Sequence, residues 1–162
     1  MDRGTVPLLL LALLAALLLA SGIEDARRRE IGNGKNAAIA LLAPLWWWAN
    51  GLDPWPDMAV QLLVATVVFA LFVGAFAAGW MGGGDVKMIG ALALWLSPTA
   101  LMHMLMTMSV IGGGVTALML AERRLRPATG PEEPRPIEVP YGIAIAAAGL
   151  LSLREPLLNH LL

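Results

Sequence analysis

The chain has 162 residues, 58% of them hydrophobic and only 14% charged, with a mean hydropathy of +0.71. That balance excludes an ordinary water-soluble domain and predicts an all-α integral membrane protein embedded in a lipid bilayer. The net charge of −1 gives no pull toward nucleic acid, and the lack of cysteine excludes disulfides, thiolate catalysis and cysteine-based zinc sites.

Thr5 to Ile23 is an apolar run of about 19 residues, long enough to span. Only Arg3 against Asp2 precedes it, so it reads as a retained helix rather than a cleaved signal peptide. Glu24 to Asn36 carries Arg27, Arg28, Arg29 and Lys35, which makes it a cytoplasmic loop by the positive-inside rule. Ala37 to Ala49 is a shorter apolar segment ending in Trp46-Trp47-Trp48, three side chains expected to anchor at the membrane–water interface. Asn50 to Asp57 contains two acids and no Lys or Arg, and belongs outside.

Met58 to Trp80 is an uncharged span that brings the chain back to Gly82-x-Gly84-Asp85-x-Lys87. Val86 to Leu96 is a short apolar helix stopped before Pro98, and Thr99 to Ala121 is the next span. Counting these as two crossings places Arg123, Arg124, Arg126 and Arg135 inside, as the charge rule requires. Met102, Met104, Met106 and Met108 alternate, a spacing that spreads them around a helix instead of lining one face. Gly112-Gly113-Gly114 suits close helix packing or a kink. A proline-rich segment at about 122–140 reads as a flexible cytoplasmic linker, and Tyr141 to Leu161 as the last span. The expected fold is thus one polytopic domain over residues 1–162, with about six transmembrane helices and both termini outside. Nine of the eleven Lys and Arg residues fall on the cytoplasmic side of that topology.

The same topology puts Asp25 and Asp85 at one membrane face, although sixty residues separate them. Two carboxylates in a semi-dry site share a proton, because like charges close together cannot both ionise cheaply. One then takes a proton from water while the other donates to a scissile carbonyl oxygen. The glycines before Asp85 let another backbone approach it. The alternative is that Asp85 only caps a helix beginning at Val86. Lys87 either stabilises charge in the dyad or reaches toward the headgroups. His103 and His160 lie in separate apolar stretches and make no metal site, and no cofactor is implied.

Gly82-x-Gly84-Asp85-x-Lys87 between membrane helices resembles the motif of the prepilin peptidases, membrane aspartyl proteases of type IV pilus systems. Asp25 followed by three arginines and Ile31-Gly32-Asn33 resembles the family's first site, with Gly32 in place of its proline. Val139-Pro140-Tyr141-Gly142 resembles the entry to its final span. The resemblance implies Asp25 and Asp85 as catalytic residues, with Gly82, Gly84, Lys87 and Asn33 shaping the motif and the substrate's approach. It further implies a multi-pass enzyme of the bacterial inner membrane that removes the basic leader of a prepilin. The larger members carry a cysteine-bearing cytoplasmic segment and N-methylate their product. This chain has neither cysteine pairs nor that segment, and looks like the short, peptidase-only form associated with tight-adherence (Flp-type) pili. Archaeal preflagellin-type and presenilin-like proteases share the Gly-x-Gly-Asp signature. A reading from another class is a non-enzymatic membrane component, a small transporter or assembly subunit using the acids for ion coupling, or an inactive relative. Against transport stands the position of both acids at one face rather than near the midplane.

Overall fold

The computed structural model describes residues 5–125 and 141–161, and all regular structure among them is helical. The helices are α1 (Thr5–Arg28), α2 (Asn33–Ala49), α3 (Ala59–Ala77), α4 (Gly83–Ala93), α5 (Pro98–Leu125), α6 (Tyr141–Ser152) and α7 (Arg154–Leu161). A single π-type turn at Pro54–Met58 leads into α3. Four stretches are long and apolar enough to cross a membrane, namely Thr5–Arg28, Pro54–Ala77, Pro98–Leu125 and Tyr141–Leu158. At 17 and 11 residues, α2 and α4 fall short of that length, so the expected count of about six spans rests on more than length and composition.

Helix α4 is the centre of the bundle, packed against α2, α3 and α6. From Val86 onward every residue of α4 except Lys87 is buried. Helix α1 lies against α6 and α2, and α5 against α6. By contrast α3 is apolar except for Gln61 and Thr66 and buries only Ala65, as expected of a helix that meets lipid on most sides. The linker read at about 122–140 is helical through Leu125, and the rest of it lies outside the described residues.

An eleven-residue helix ends about 16 Å from its start, and its last carbonyls need donors where water is scarce. Side chains supply them. Gln61 Nε2 donates to the carbonyls of Ala93 and Leu96, at 2.7 Å each, and Trp47 Nε1 donates to Leu94 O at 2.7 Å. Trp95 Nε1 donates to Ile39 O at 2.8 Å, while the Trp46 and Trp95 rings stack with centroids 5.6 Å apart. This corrects the reading of the three tryptophans as interfacial anchors. Trp46 and Trp47 are buried around the end of α4, and only Trp48 is exposed. The methionines divide by helical period, with Met104 and Met108 buried and Met102 and Met106 exposed. Gly112 sits where a Cβ would come within 2.9 Å of the Tyr141 ring, so its lack of a side chain permits the close approach of α5 to α6.

The bundle has two distinct ends. The α1–α2 and α3–α4 links meet at one, where Arg29, Glu30, Gly83 and Gly84 surround a common cavity. At the other, Asn50 and Leu52 after α2 lie beside Leu96 and Ser97 after α4.

Candidate functional site

Asp25 stands on a helix, not in a loop. Helix α1 runs five residues beyond its apolar run, and the polar link to α2 shrinks to residues 29–32. The reason is visible in the buried positions of α1: Leu11, Leu14, Leu18, Ser21 and Asp25 recur every three or four residues. Asp25 therefore continues the stripe that faces α6. It is 5% exposed, and Ile143 N–H donates to its Oδ2 at 3.1 Å. That N–H belongs to the first turn of α6 and has no intrahelical carbonyl to bond. Between them lies Gly142, where any Cβ would stand 2.7 Å from the carboxyl carbon of Asp25 and 2.7 Å from Ile31 Cδ1.

After Arg28 the chain reverses sharply. Arg29 takes a left-handed conformation (φ 56°), and its N–H still bonds Asp25 O at 2.9 Å. Glu24 holds the turn from the helix side, pairing with the Lys35 ammonium and accepting the Gly32 N–H at 3.0 Å. Ile31 is thereby pressed onto the second motif. A Cβ at Gly84 would lie 3.2 Å from Ile31 Cβ and 3.3 Å from its carbonyl oxygen. The backbone that Gly84 admits is that of the α1–α2 link.

Asp85 is the third residue of α4, which starts at Gly83 with Gly82 as the residue before it. This corrects the picture of Asp85 as the cap of a helix beginning at Val86. Its carboxylate folds back toward Gly82, the residue before the helix. A Cβ on Gly82 would be 3.1 Å from Asp85 Oδ2. Asp25 and Asp85 line one cavity of about 260 Å³, together with Arg29, Glu30, Ile31, Gly83 and Gly84.

Lys87 and Asn33 are joined to each other and kept out of this cavity. Lys87 Nζ donates to Asn33 Oδ1 at 2.7 Å on an exposed surface. Beneath that bridge, Asn36 Nδ2 donates to Gly84 O at 3.0 Å and fixes the turn before Asp85. Two contributors to the site escaped the reading of the sequence. Asn36 gave no signal, being the last residue of a stretch read as a polar loop. Gly142 was visible only as part of Pro-Tyr-Gly, with no hint that it faces Asp25.

The arrangement offers a carboxylate pair, one member held by a helix N-terminus and the other by a glycine turn, around a space large enough for water and a peptide group. The profile of the type IV leader peptidase family matches residues 11–117, a stretch that runs from within α1 through most of α5 and includes both aspartates. No curated protein and no solved structure matches the chain.

Proposed function

The chain belongs to the type IV leader peptidase family, and from that premise we propose that it is an aspartic endopeptidase whose dyad is Asp25 and Asp85. The observation that carries this reading is the shared cavity, which Asp25 and Asp85 line together. Such a pair holds one proton between its members and titrates as a unit. The ionised carboxylate takes a proton from water as the water oxygen bonds to the scissile carbonyl carbon. The protonated carboxyl gives its proton to the carbonyl oxygen. The carbonyl then re-forms as the now-ionised carboxylate takes back a hydroxyl proton, the C–N bond breaks, and the other carboxyl gives its proton to the leaving nitrogen. No metal or cofactor enters the scheme.

The substrate in this reading is a prepilin of the tight-adherence (Flp) kind, an apolar helix preceded by a basic leader. The helix stays in lipid and the leader in water, so the bond to be cut falls at the membrane boundary. We further read α2 and α4 as lying within the bilayer, giving six membrane spans, with α6 and α7 as one, in one domain over residues 1–162. The helix ends bearing the two aspartates then face the cytoplasm of a bacterial inner membrane. The charge distribution supports that side, with Arg27, Arg28, Arg29, Lys35 and Lys87 all near the aspartate end. Co-expression with an Flp-type prepilin tests the activity, with leader removal scored by mass spectrometry. The wild-type chain should release the mature pilin, and Asp85→Asn should leave the precursor intact.

A further inference from the structure

A second group of chemistry-bearing side chains lies at the end of the bundle away from the aspartates. There α5, α6 and α7 border an open cavity of about 290 Å³. Ala100, His103 and Thr107 line it from one face of α5, and Ser152, Arg154 and Glu155 stand opposite, where α6 passes into α7. Ala100 and Glu155 also line the neighbouring cavity beside Asn50, Leu96 and Ser97, which fixes the level of the group in the bundle.

These side chains occupy stretches that otherwise suit hydrocarbon. His103 comes five residues after Pro98, about 8 Å along α5, in a span with no Asp, Glu, Lys or Arg before Glu122. Arg154 and Glu155 fall inside the apolar span Tyr141–Leu158. Helix α6 before them is 12 residues long, about 18 Å, against about 30 Å of hydrocarbon. Ionisable side chains within a span are costly and ask for a partner. Among the described residues, none of His103, Thr107, Arg154 and Glu155 finds an ion-pair or hydrogen-bond partner for its side chain. The partner is therefore sought outside the chain.

The chemistry of the wall calls for a ligand with both signs of charge. Arg154 offers a guanidinium fork, and His103 and Thr107 offer N–H and O–H donors, a set suited to phosphate oxygens. Glu155 offers a carboxylate, which a free phosphate would leave unbalanced and an ammonium would satisfy. Beyond His103 the same face of α5 turns apolar and open, with Met106 62% and Val110 75% exposed, so an acyl chain can lie along it toward mid-membrane.

We infer that this cavity binds the headgroup of a phospholipid bearing a primary amine, of the phosphatidylethanolamine type. The phosphate sits at His103 and Arg154, and the ammonium donates to Glu155. Only a bilayer around the bundle is required, whatever the chain cleaves.

The test offers the full chain, delipidated in detergent, dioleoyl lipids that differ only in headgroup, and native mass spectrometry counts the lipid retained. Phosphatidylethanolamine should be retained about tenfold more than phosphatidylcholine, whose quaternary ammonium has no N–H to give Glu155. Phosphatidylglycerol, which has no amine, should also be retained less. Glu155→Gln should erase the preference for the primary amine, and Arg154→Gln should lower retention of all three lipids. Arg123→Gln, at the other end of α5, should change neither. Equal retention of phosphatidylethanolamine and phosphatidylcholine by the wild-type chain would overturn the site without recourse to any variant. So would phosphatidylglycerol retained as well as phosphatidylethanolamine, or a preference that survives Glu155→Gln. Inorganic phosphate protecting the chain from thermal unfolding as well as phosphatidylethanolamine does would assign the cavity to a free anion, and that too would overturn it.

Discussion

Gly142 and Asp25, 117 positions apart, are so closely apposed that a single added carbon on the glycine would meet the carboxyl group at 2.7 Å. The position also carries the first turn of α6, whose Ile143 N–H holds Asp25. Gly142→Ala should therefore push Asp25 or α6 aside while the helices still insert. A misplacement on the order of 1 Å can cost about a hundredfold in rate, and leader removal should fall by about that much. Gly113→Ala, which meets nothing within 4 Å, should cleave normally. Equal activity of the two variants would show that Asp25 does not need its present place.

Asn36 should matter more than its exposed neighbour Asn33. Asn36→Leu keeps the volume but removes the side-chain donor that ties α2 to Gly84 O, a net hydrogen-bond loss of about 0.5–1.5 kcal/mol. The unfolding temperature and leader removal should both drop. Asn33→Ala breaks only the exposed bond to Lys87 and should change either quantity little. The reverse ranking would remove Asn36 from the support of the Asp85 turn.

The aspartates were legible in the sequence because acids beside apolar runs are conspicuous, and the motif around Asp85 is specific. The spans of α3 and α5 were legible for the same reason, as long uncharged runs. What escaped were relationships made by folding. Charge at residues 24–29 read as loop, yet Asp25 continues the buried stripe of α1 and keeps it helical against α6. Trp46 and Trp47 read as interfacial because tryptophan favours that zone, yet the short α4 needs their packing and the Trp47 donor. Asn36 and Gly84 meet across 48 residues, a pairing that local pattern does not carry.

The two ends of the bundle translate into a topology. Reporter fusions at Arg28 and Gly83 should both report cytoplasm, and fusions at Pro54 and Ser97 the opposite side. Opposite sides for Arg28 and Gly83 are incompatible with one cavity holding both aspartates.

Central to the account is that Asp25 and Asp85 act as one catalytic unit, and a double-substitution cycle tests this most directly. General acid–base groups contribute about 10²- to 10⁴-fold each, but members of one unit do not add. With prepilin cleavage rates measured for Asp25→Asn, Asp85→Asn and the double variant, all three should show the same residual rate and normal accumulation in the membrane. A single variant that retains most of the activity, or a double variant whose loss is the product of the two single losses, would contradict a shared dyad.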